Sequence, residues 1–65
     1  MSVDDVVKKR ILKLLKKHDY LTIEETASKL GMHRTTASKY LAVLEAQGLV
    51  KYRAVGKAKL YSVRR

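Results

Sequence analysis

The sequence of this 65-residue chain predicts an α+β fold in which three helices precede a two-stranded antiparallel hairpin. Three observations predict this fold. Apolar residues recur at steps of three and four over residues 3–17, which is the period of a helix. A capping-box pattern and two later glycines mark the limits of two further helices. Finally, Gly56-Lys57 separates two alternating segments, as a two-residue hairpin loop does.

The first helix is expected at residues 3–17, with one apolar face made of Val3, Val7, Ile11, Leu14 and Leu15. Acidic residues occupy its first turn and lysines its last, as the helix dipole favours. Basic side chains cover much of its remaining surface. Val6 and Leu12 lie outside the apolar face, so they could widen it or serve a partner surface.

The second helix is expected at residues 23–30, where Thr22 and Glu25 form the capping-box pattern T-x-x-E. In this pattern the threonine hydroxyl accepts from the Glu25 amide, and the Glu25 carboxylate accepts from the Thr22 amide. Gly31 follows the last turn and can adopt the left-handed conformation that ends a helix.

The third helix is expected at residues 34–47 and ends before Gly48. His33 precedes it, although histidine is a poor N-cap beside serine or asparagine. Its buried face comprises Ala37, Leu41 and Leu44, with Tyr40 and Val43 at the margin. Its opposite face carries side chains suited to phosphates and base edges, namely Arg34, Thr35, Ser38 and Lys39.

Two strands are expected at residues 49–54 and 58–63. The turn between them sets a register that pairs Val55 with Ala58, Tyr52 with Tyr61, and Val50 with Val63. Alternation then sorts nearly all the apolar side chains onto one face, made of Val50, Tyr52, Tyr61 and Val63. The other face has Lys51, Arg53, Leu60 and Ser62, of which Leu60 either contacts a partner or is exposed.

Length and composition indicate one small domain spanning residues 1–65. A chain of this size buries only about 60% of the surface of its unfolded form. It has no cysteine, which excludes a disulfide or a thiolate metal site. No apolar run approaches the ~18 residues of a membrane span, and the N-terminus lacks a signal peptide's apolar segment. A soluble, cytoplasmic, nucleoid-associated protein is therefore expected.

The charge is +9 and is unevenly distributed along the chain. Residues 1–25 hold six Lys or Arg against five Asp or Glu, whereas residues 26–65 hold nine against one, Glu45. A nearly uniform basic half predicts a polyanionic partner on that side of the protein. The alternative is a solvated basic surface that keeps a small protein in solution.

The stretch from Ala27 to Leu41 has the pattern A-x-x-x-G, with an apolar residue after the glycine, and resembles a helix-turn-helix unit. Its continuation, S-K-Y-L-A-V-L-E-A-Q-G-L-V-K-Y, resembles the winged helix-turn-helix transcriptional regulators of the MarR and ArsR type. The phrase L-x-x-L-x-x-x-G-L-V matches at Leu41, Leu44, Gly48, Leu49 and Val50. The basic hairpin, or wing, matches at Gly56, Lys57, Lys59, Tyr61 and Val63.

This resemblance implies that the third helix lies in the major groove of DNA. Arg34 would pair with guanine, Lys39 would contact a phosphate, and Thr35 and Ser38 would serve bases or phosphates. Flanking contacts to DNA are expected from His33, Thr36 and Tyr40. For Tyr40, packing at the helix margin is an equal alternative. The wing residues Arg53, Lys57 and Lys59 would approach the minor groove or its phosphates, although lysines also protect an edge hairpin from aggregation.

Catalysis and metal binding find little support in the sequence. There is no cysteine nucleophile, no glycine-rich phosphate loop and no G-x-S-x-G motif. His18 and His33 are the only imidazoles, and their spacing is not that of metal ligands. A non-enzymatic protein is expected, without cofactor, metal or small-molecule ligand.

We therefore predict a sequence-specific binder of double-stranded DNA that acts as a transcriptional regulator. A single copy buries modest area, so specificity is expected to require two copies on a two-fold site, as a homodimer. Two alternatives stay open at this point. One is a winged helix that binds RNA, since charge alone does not choose between the nucleic acids. The other is a protein-interaction module that uses the wing or the first helix.

Overall fold

The computed structural model describes residues 2–64, so Met1 and Arg65 lie outside the described part of the chain. Its elements follow the order α1 (Val3–Lys17), β1 (Leu21–Thr22), α2 (Ile23–Leu30), α3 (Arg34–Ala46), β2 (Val50–Val55) and β3 (Ala58–Val63). Three helices and an antiparallel hairpin are thus confirmed. No helix among the described residues is long and apolar enough to cross a membrane.

The structure adds a third strand that the sequence did not predict. Leu21 pairs with Tyr61 and Thr22 with Leu60, so the strand order of the antiparallel sheet is β1-β3-β2. A strand of two residues is too short to show alternation, and it runs directly into a helix. Three boundaries also differ by one residue, because Gln47 is the C-cap of α3 and β2 spans Val50–Val55 rather than residues 49–54.

The predicted register of the hairpin is confirmed, with Val50, Tyr52 and Val55 opposite Val63, Tyr61 and Ala58, respectively. Burial along the wing is less regular than the two-faced prediction. Tyr52 is 44% exposed, and only Val50 of β2 is buried. Leu60, expected to be exposed or to contact a partner, is half-buried beside β1. Ser62 is buried on the central strand β3.

The hydrophobic core lies where the buried faces of α1 and α3 meet the base of the sheet. Its fully buried members come from all three of these elements and include Ile11, Leu15, Leu41, Leu44 and Val50. Full burial of one such side chain contributes about 1.5–3 kcal/mol. Arg10 also ties two helices together, since its Nη2 donates to the Leu30 carbonyl at the end of α2 at 3.2 Å. The core thus fixes the position of α3.

Local hydrogen bonds set the limits of α2, as the sequence predicts. The Glu25 amide donates to Thr22 Oγ1 at 3.0 Å, and the Thr22 amide donates to Glu25 Oε1 at 2.9 Å. Gly31 adopts the left-handed conformation with φ of 66°, and the next amide, of Met32, donates to the Ala27 carbonyl at 2.9 Å. This cap turns the chain sharply, so that α3 can start three residues later at Arg34.

We expect Thr22→Ala to lower the free energy of unfolding by about 1 kcal/mol, because the substitution removes the N-cap of α2. Urea denaturation at neutral pH measures this change. Thr35→Ala is the matched control, since Thr35 is exposed within α3 and should change stability by less than about 0.5 kcal/mol. Equal losses in the two variants would contradict the capping role.

The same cap makes stability depend on pH. The hydrogen bond from the Thr22 amide, followed by that from the Thr22 hydroxyl, lowers the pKa of Glu25. A carboxylate with a lowered folded-state pKa adds stability above its unfolded pKa and loses that contribution as pH falls through the folded pKa. Stability should therefore decline in acid, below about pH 4.3. Glu25→Gln should weaken this part of the decline in urea titrations across acid pH.

Candidate nucleic-acid interface

Helix α3 presents opposite chemistry on its two sides. Its buried side comprises Ala37, Tyr40, Leu41 and Leu44. Its other side exposes Arg34, Thr35 and Lys39, with Ser38 half-buried among them. The core holds the apolar side in place, so the polar side must face outward. The outward residues predicted for α3 are therefore confirmed as a surface of the protein.

An open groove of about 600 Å³ separates the start of α3 from the tip of the wing. Four residues predicted for the site line it together, namely Arg34 and Ser38 from α3 and Lys57 and Lys59 from the wing. The other lining residues are Thr22, Ile23, Glu24, Val55 and Ala58. The structure thus places the start of the predicted reading helix and the predicted wing on a single concave surface with three cationic side chains.

The guanidinium of Arg34 has a partner that the sequence did not predict. Its Nε lies 3.5 Å from Oε1 of Glu24 in the first turn of α2. The two side chains keep 62% and 78% of their exposure, so water screens the pair and it adds little stability. In the sequence, Glu24 stands out only as an acidic residue in the first turn of α2, a position that the helix dipole favours.

The wing carries its own cation contact. Lys59 Nζ lies 4.7 Å from the centroid of the Tyr52 ring, within the range of a cation–π interaction. The Tyr52 ring in turn packs against Tyr61, with ring centroids 5.5 Å apart and planes tilted by 43°. Burial is the main cause that raises the pKa of Tyr61. Arg53 is exposed but does not line the groove.

Tyr40, for which DNA contact and packing were equal alternatives, lies on the buried side of α3. Its side chain is only 9% exposed, and its hydroxyl donates to Asp4 Oδ1 of α1 at 2.5 Å. This hydrogen bond is the main cause that raises the pKa of Tyr40. Tyr40 therefore has the packing role, because the stripe that buries Leu41 and Leu44 also turns it inward. Its ring still lies 5.6 Å from Lys39 Nζ.

The remaining predicted contacts lie at the edge of this surface. His33 is exposed and precedes α3, and its imidazole makes no capping hydrogen bond. Thr36 is half-buried on the flank of the helix. Within residues 2–64 no cluster of three His, Cys, Asp or Glu side chains could hold a metal ion. The outward face of α3, the turn before it and the wing thus carry basic and hydroxyl side chains, whose chemistry suits a polyanion.

The fold and this surface define a helix-turn-helix domain for nucleic-acid binding. Comparison with known families extends that definition, because the model of the winged helix-turn-helix DNA-binding family matches residues 4–51. The chain belongs to this family. A comparison with curated proteins gives no match.

Solved structures provide three useful neighbours. The Zα domain of PKZ from Carassius auratus, solved in complex with Z-DNA, aligns with a TM-score of 0.90 at 16% identity, over 95% of this chain and 98% of that one. At that identity the likeness shows the fold alone.

Two bacterial proteins are closer in sequence. One is the homodimeric domain of a possible ArsR-family transcriptional regulator from Mycobacterium bovis, with 34% identity, a TM-score of 0.82, and coverage of 89% of this chain and 53% of that one. The other is NolR from Sinorhizobium fredii, with 31% identity, a TM-score of 0.76, and coverage of 85% and 54%. This chain spans about half the length of these two proteins.

Proposed function

We propose that this protein binds double-stranded DNA in a sequence-specific manner and regulates transcription from the nucleoid. The observation that carries the proposal is the single groove that joins Arg34 and Ser38 of α3 to Lys57 and Lys59 of the wing. Family membership supports DNA as the ligand. The possible ArsR-family regulator from M. bovis, at 34% identity, supports both the regulatory role and kinship with the ArsR type.

In the proposed complex α3 lies in the major groove, led by its N-terminal half. Arg34 pairs through two of its N–H groups with O6 and N7 of a guanine, the commonest specific contact. Thr35 and Ser38 donate to bases or phosphates, and His33 and Thr36 lie at the edge of the same contact. Lys39 meets a phosphate, because its ammonium is a point charge rather than a planar fork.

The wing supplies a second contact on the adjoining minor groove or its phosphates. Lys57 sits at the hairpin tip, beside Gly56 with its φ of 60°, and is exposed. Lys59 lies on the groove side over Tyr52. Arg53 is exposed on β2 and can meet the backbone outside the groove. These contacts add affinity without reading sequence.

We propose further that two copies act together on a two-fold site. A single small domain covers few base pairs, and symmetric half-sites match a symmetric dimer. The homodimeric neighbour from M. bovis supports this arrangement. On α1, Val6 is 45% exposed and remains available for a partner copy, whereas Leu12 packs against the core. Sedimentation analysis with and without the selected duplex tests the dimer.

Selection of bound duplexes from a random pool is the decisive experiment. The selection should enrich a motif with a guanine at a fixed position. In a competition at equal salt, the protein should still bind the selected duplex in preference to structured RNA. A left-handed alternating duplex belongs among the competitors, because one neighbour was solved with Z-DNA. Equal recovery of all sequences, or stronger binding to RNA or to the left-handed duplex, would overturn the proposal.

Two alanine substitutions should separate base reading from backbone contact. Arg34→Ala is expected to cost about 1–3 kcal/mol of discrimination at one base position, because it removes the bidentate contact. Lys57→Ala is expected to lower the affinity for all DNA sequences by the same factor. It should also reduce the steepness of log K against log salt by about 0.9. Fluorescence anisotropy with the selected duplex and its single-base variants measures both effects.

Lys29→Ala is the control for these substitutions. It removes one positive charge from the last turn of α2, outside the residues that line the groove. If Lys29→Ala and Lys57→Ala changed affinity and salt slope equally, the wing would contribute only to net charge. If Arg34→Ala left base preference intact, the proposed docking of α3 would be wrong.

A further inference from the structure

Glu24 is the single acidic side chain among the residues that line the groove of the described chain. It shares that surface with Arg34, Lys57 and Lys59, and it lies 3.5 Å from the Arg34 guanidinium. A carboxylate in this groove repels phosphates and so lowers the affinity for any DNA backbone. A benefit elsewhere would offset this cost.

Stabilisation of α2 does not require Glu24 to point at Arg34. Glu25 already completes the capping box with Thr22, as the two reciprocal hydrogen bonds show. Any acidic side chain in the first turn also interacts favourably with the helix dipole, whichever way it points. Glu24 is 78% exposed and could extend into water, yet it lies against Arg34, the residue proposed to read a guanine.

We propose that Glu24 is a positioning residue that gives Arg34 its selectivity for a base edge over a phosphate. This inference rests on the proposed function and deepens it. The contact runs through Nε, the inner nitrogen of the guanidinium, and so restrains the side chain from its stem side. An arginine guanidinium carries five N–H donors. When Nε faces Glu24, the N–H groups of the two terminal nitrogens are still available to an acceptor on DNA.

The selectivity follows from the different charges of the two competing acceptors. A phosphate that approaches Arg34 also approaches the Glu24 carboxylate, so repulsion offsets part of its attraction. The O6 and N7 atoms of guanine accept hydrogen bonds without carrying a net charge, so the carboxylate penalises them far less. Repulsion of a wrong partner is a general source of specificity. Glu24 should therefore weaken nonspecific binding more than specific binding.

The test compares Glu24→Gln with the unmodified protein on the selected duplex and on a scrambled duplex. The variant should bind the scrambled duplex about two- to fivefold more tightly, the range of an exposed ion pair. Binding to the selected duplex should change less, so the ratio of the two dissociation constants falls. The salt slope on the scrambled duplex should steepen by about 0.9 if Arg34 gains one phosphate contact.

Glu45→Gln is the matched control, because it removes the same charge from an exposed position that does not line the groove. It should tighten binding to both duplexes by the same factor and leave their ratio unchanged. Glu24→Asp retains the charge with a shorter reach and should restore part of the ratio. Thermal melts followed by circular dichroism confirm that each variant is folded at the temperature of the binding assay.

A double substitution separates this inference from the function on which it rests. In an Arg34→Ala background, Glu24→Gln should no longer change the ratio, because its effect acts through the guanidinium. Equal ratios for Glu24→Gln and Glu45→Gln, with Arg34→Ala still relaxing base preference, would overturn the inference alone. If Arg34→Ala left base preference intact, the docking itself would fail and the role of Glu24 with it.

Discussion

Leu41→Ala is expected to lower the free energy of unfolding by about 2–5 kcal/mol. Leu41 is fully buried in the core between the helices and the sheet, so the substitution loses transfer energy and leaves a cavity. A chain of this size has a total stability of roughly 3–10 kcal/mol. The variant should therefore be largely unfolded on warming and should lose DNA binding. Urea denaturation followed by circular dichroism at 25 °C measures the change.

Leu49→Ala is the control for this result. It deletes the same atoms from a side chain that is 44% exposed between α3 and β2. Its backbone bonds, from the Leu49 amide to the Leu44 carbonyl and from the Arg64 amide to the Leu49 carbonyl, do not involve the side chain. A loss below about 1 kcal/mol is expected. Similar losses at both positions would show that the core does not centre on α3.

DNA affinity is expected to fall about 500-fold when salt is raised from about 50 to about 200 mM. This figure assumes about five neutralised phosphates, for which log K falls with log salt at a slope near −4.5. The physical reason is the release of condensed counterions when basic side chains replace them. Residues 26–65 carry nine Lys or Arg against one Glu, which supplies the charge for this effect. Anisotropy titrations with the selected duplex at four or five salt concentrations measure the slope.

Circular dichroism of the protein over the same salt range is the control for the titration. The spectrum should stay constant, which would show that the protein remains folded. Selected and scrambled duplexes should show steep slopes of similar size, because phosphate contacts dominate both complexes. A fall of less than about tenfold would mean that apolar contacts hold the complex. In that case the cationic groove would not be the principal binding surface.

The features that the sequence predicted correctly rest on contacts between near neighbours. Thr22 and Glu25 are one helical turn apart, and their reciprocal hydrogen bonds need nothing else from the chain. The hairpin register follows from the loop at Gly56 in the same way. The buried stripe of α3 repeats with the helical period, so its opposite face could be identified as well.

The features that it did not predict depend on residues far apart in the chain. Strand β1 exists because Leu21 meets Tyr61, and Tyr40 is drawn inward by packing and bonds to Asp4. Neither contact leaves a local pattern. Glu24 escaped notice for the same reason, since only the turn between α2 and α3 brings it to Arg34. That Arg34 lies near the wing lysines could be expected only from the family resemblance, because periodicity describes one element at a time.

Thr22 holds three connections at once. It pairs with Leu60 in the sheet, it caps α2, and its carbonyl accepts from Thr26 Oγ1 at 2.9 Å. No flexible linker intervenes between the central strand and the beginning of the second helix. If a ligand bends the wing, we therefore expect the displacement to reach the start of α2 and, through it, α3. The wing and α3, which line the groove, should then move together. Amide hydrogen exchange near Thr22 should therefore change when DNA contacts the tip of the wing at Gly56 and Lys57.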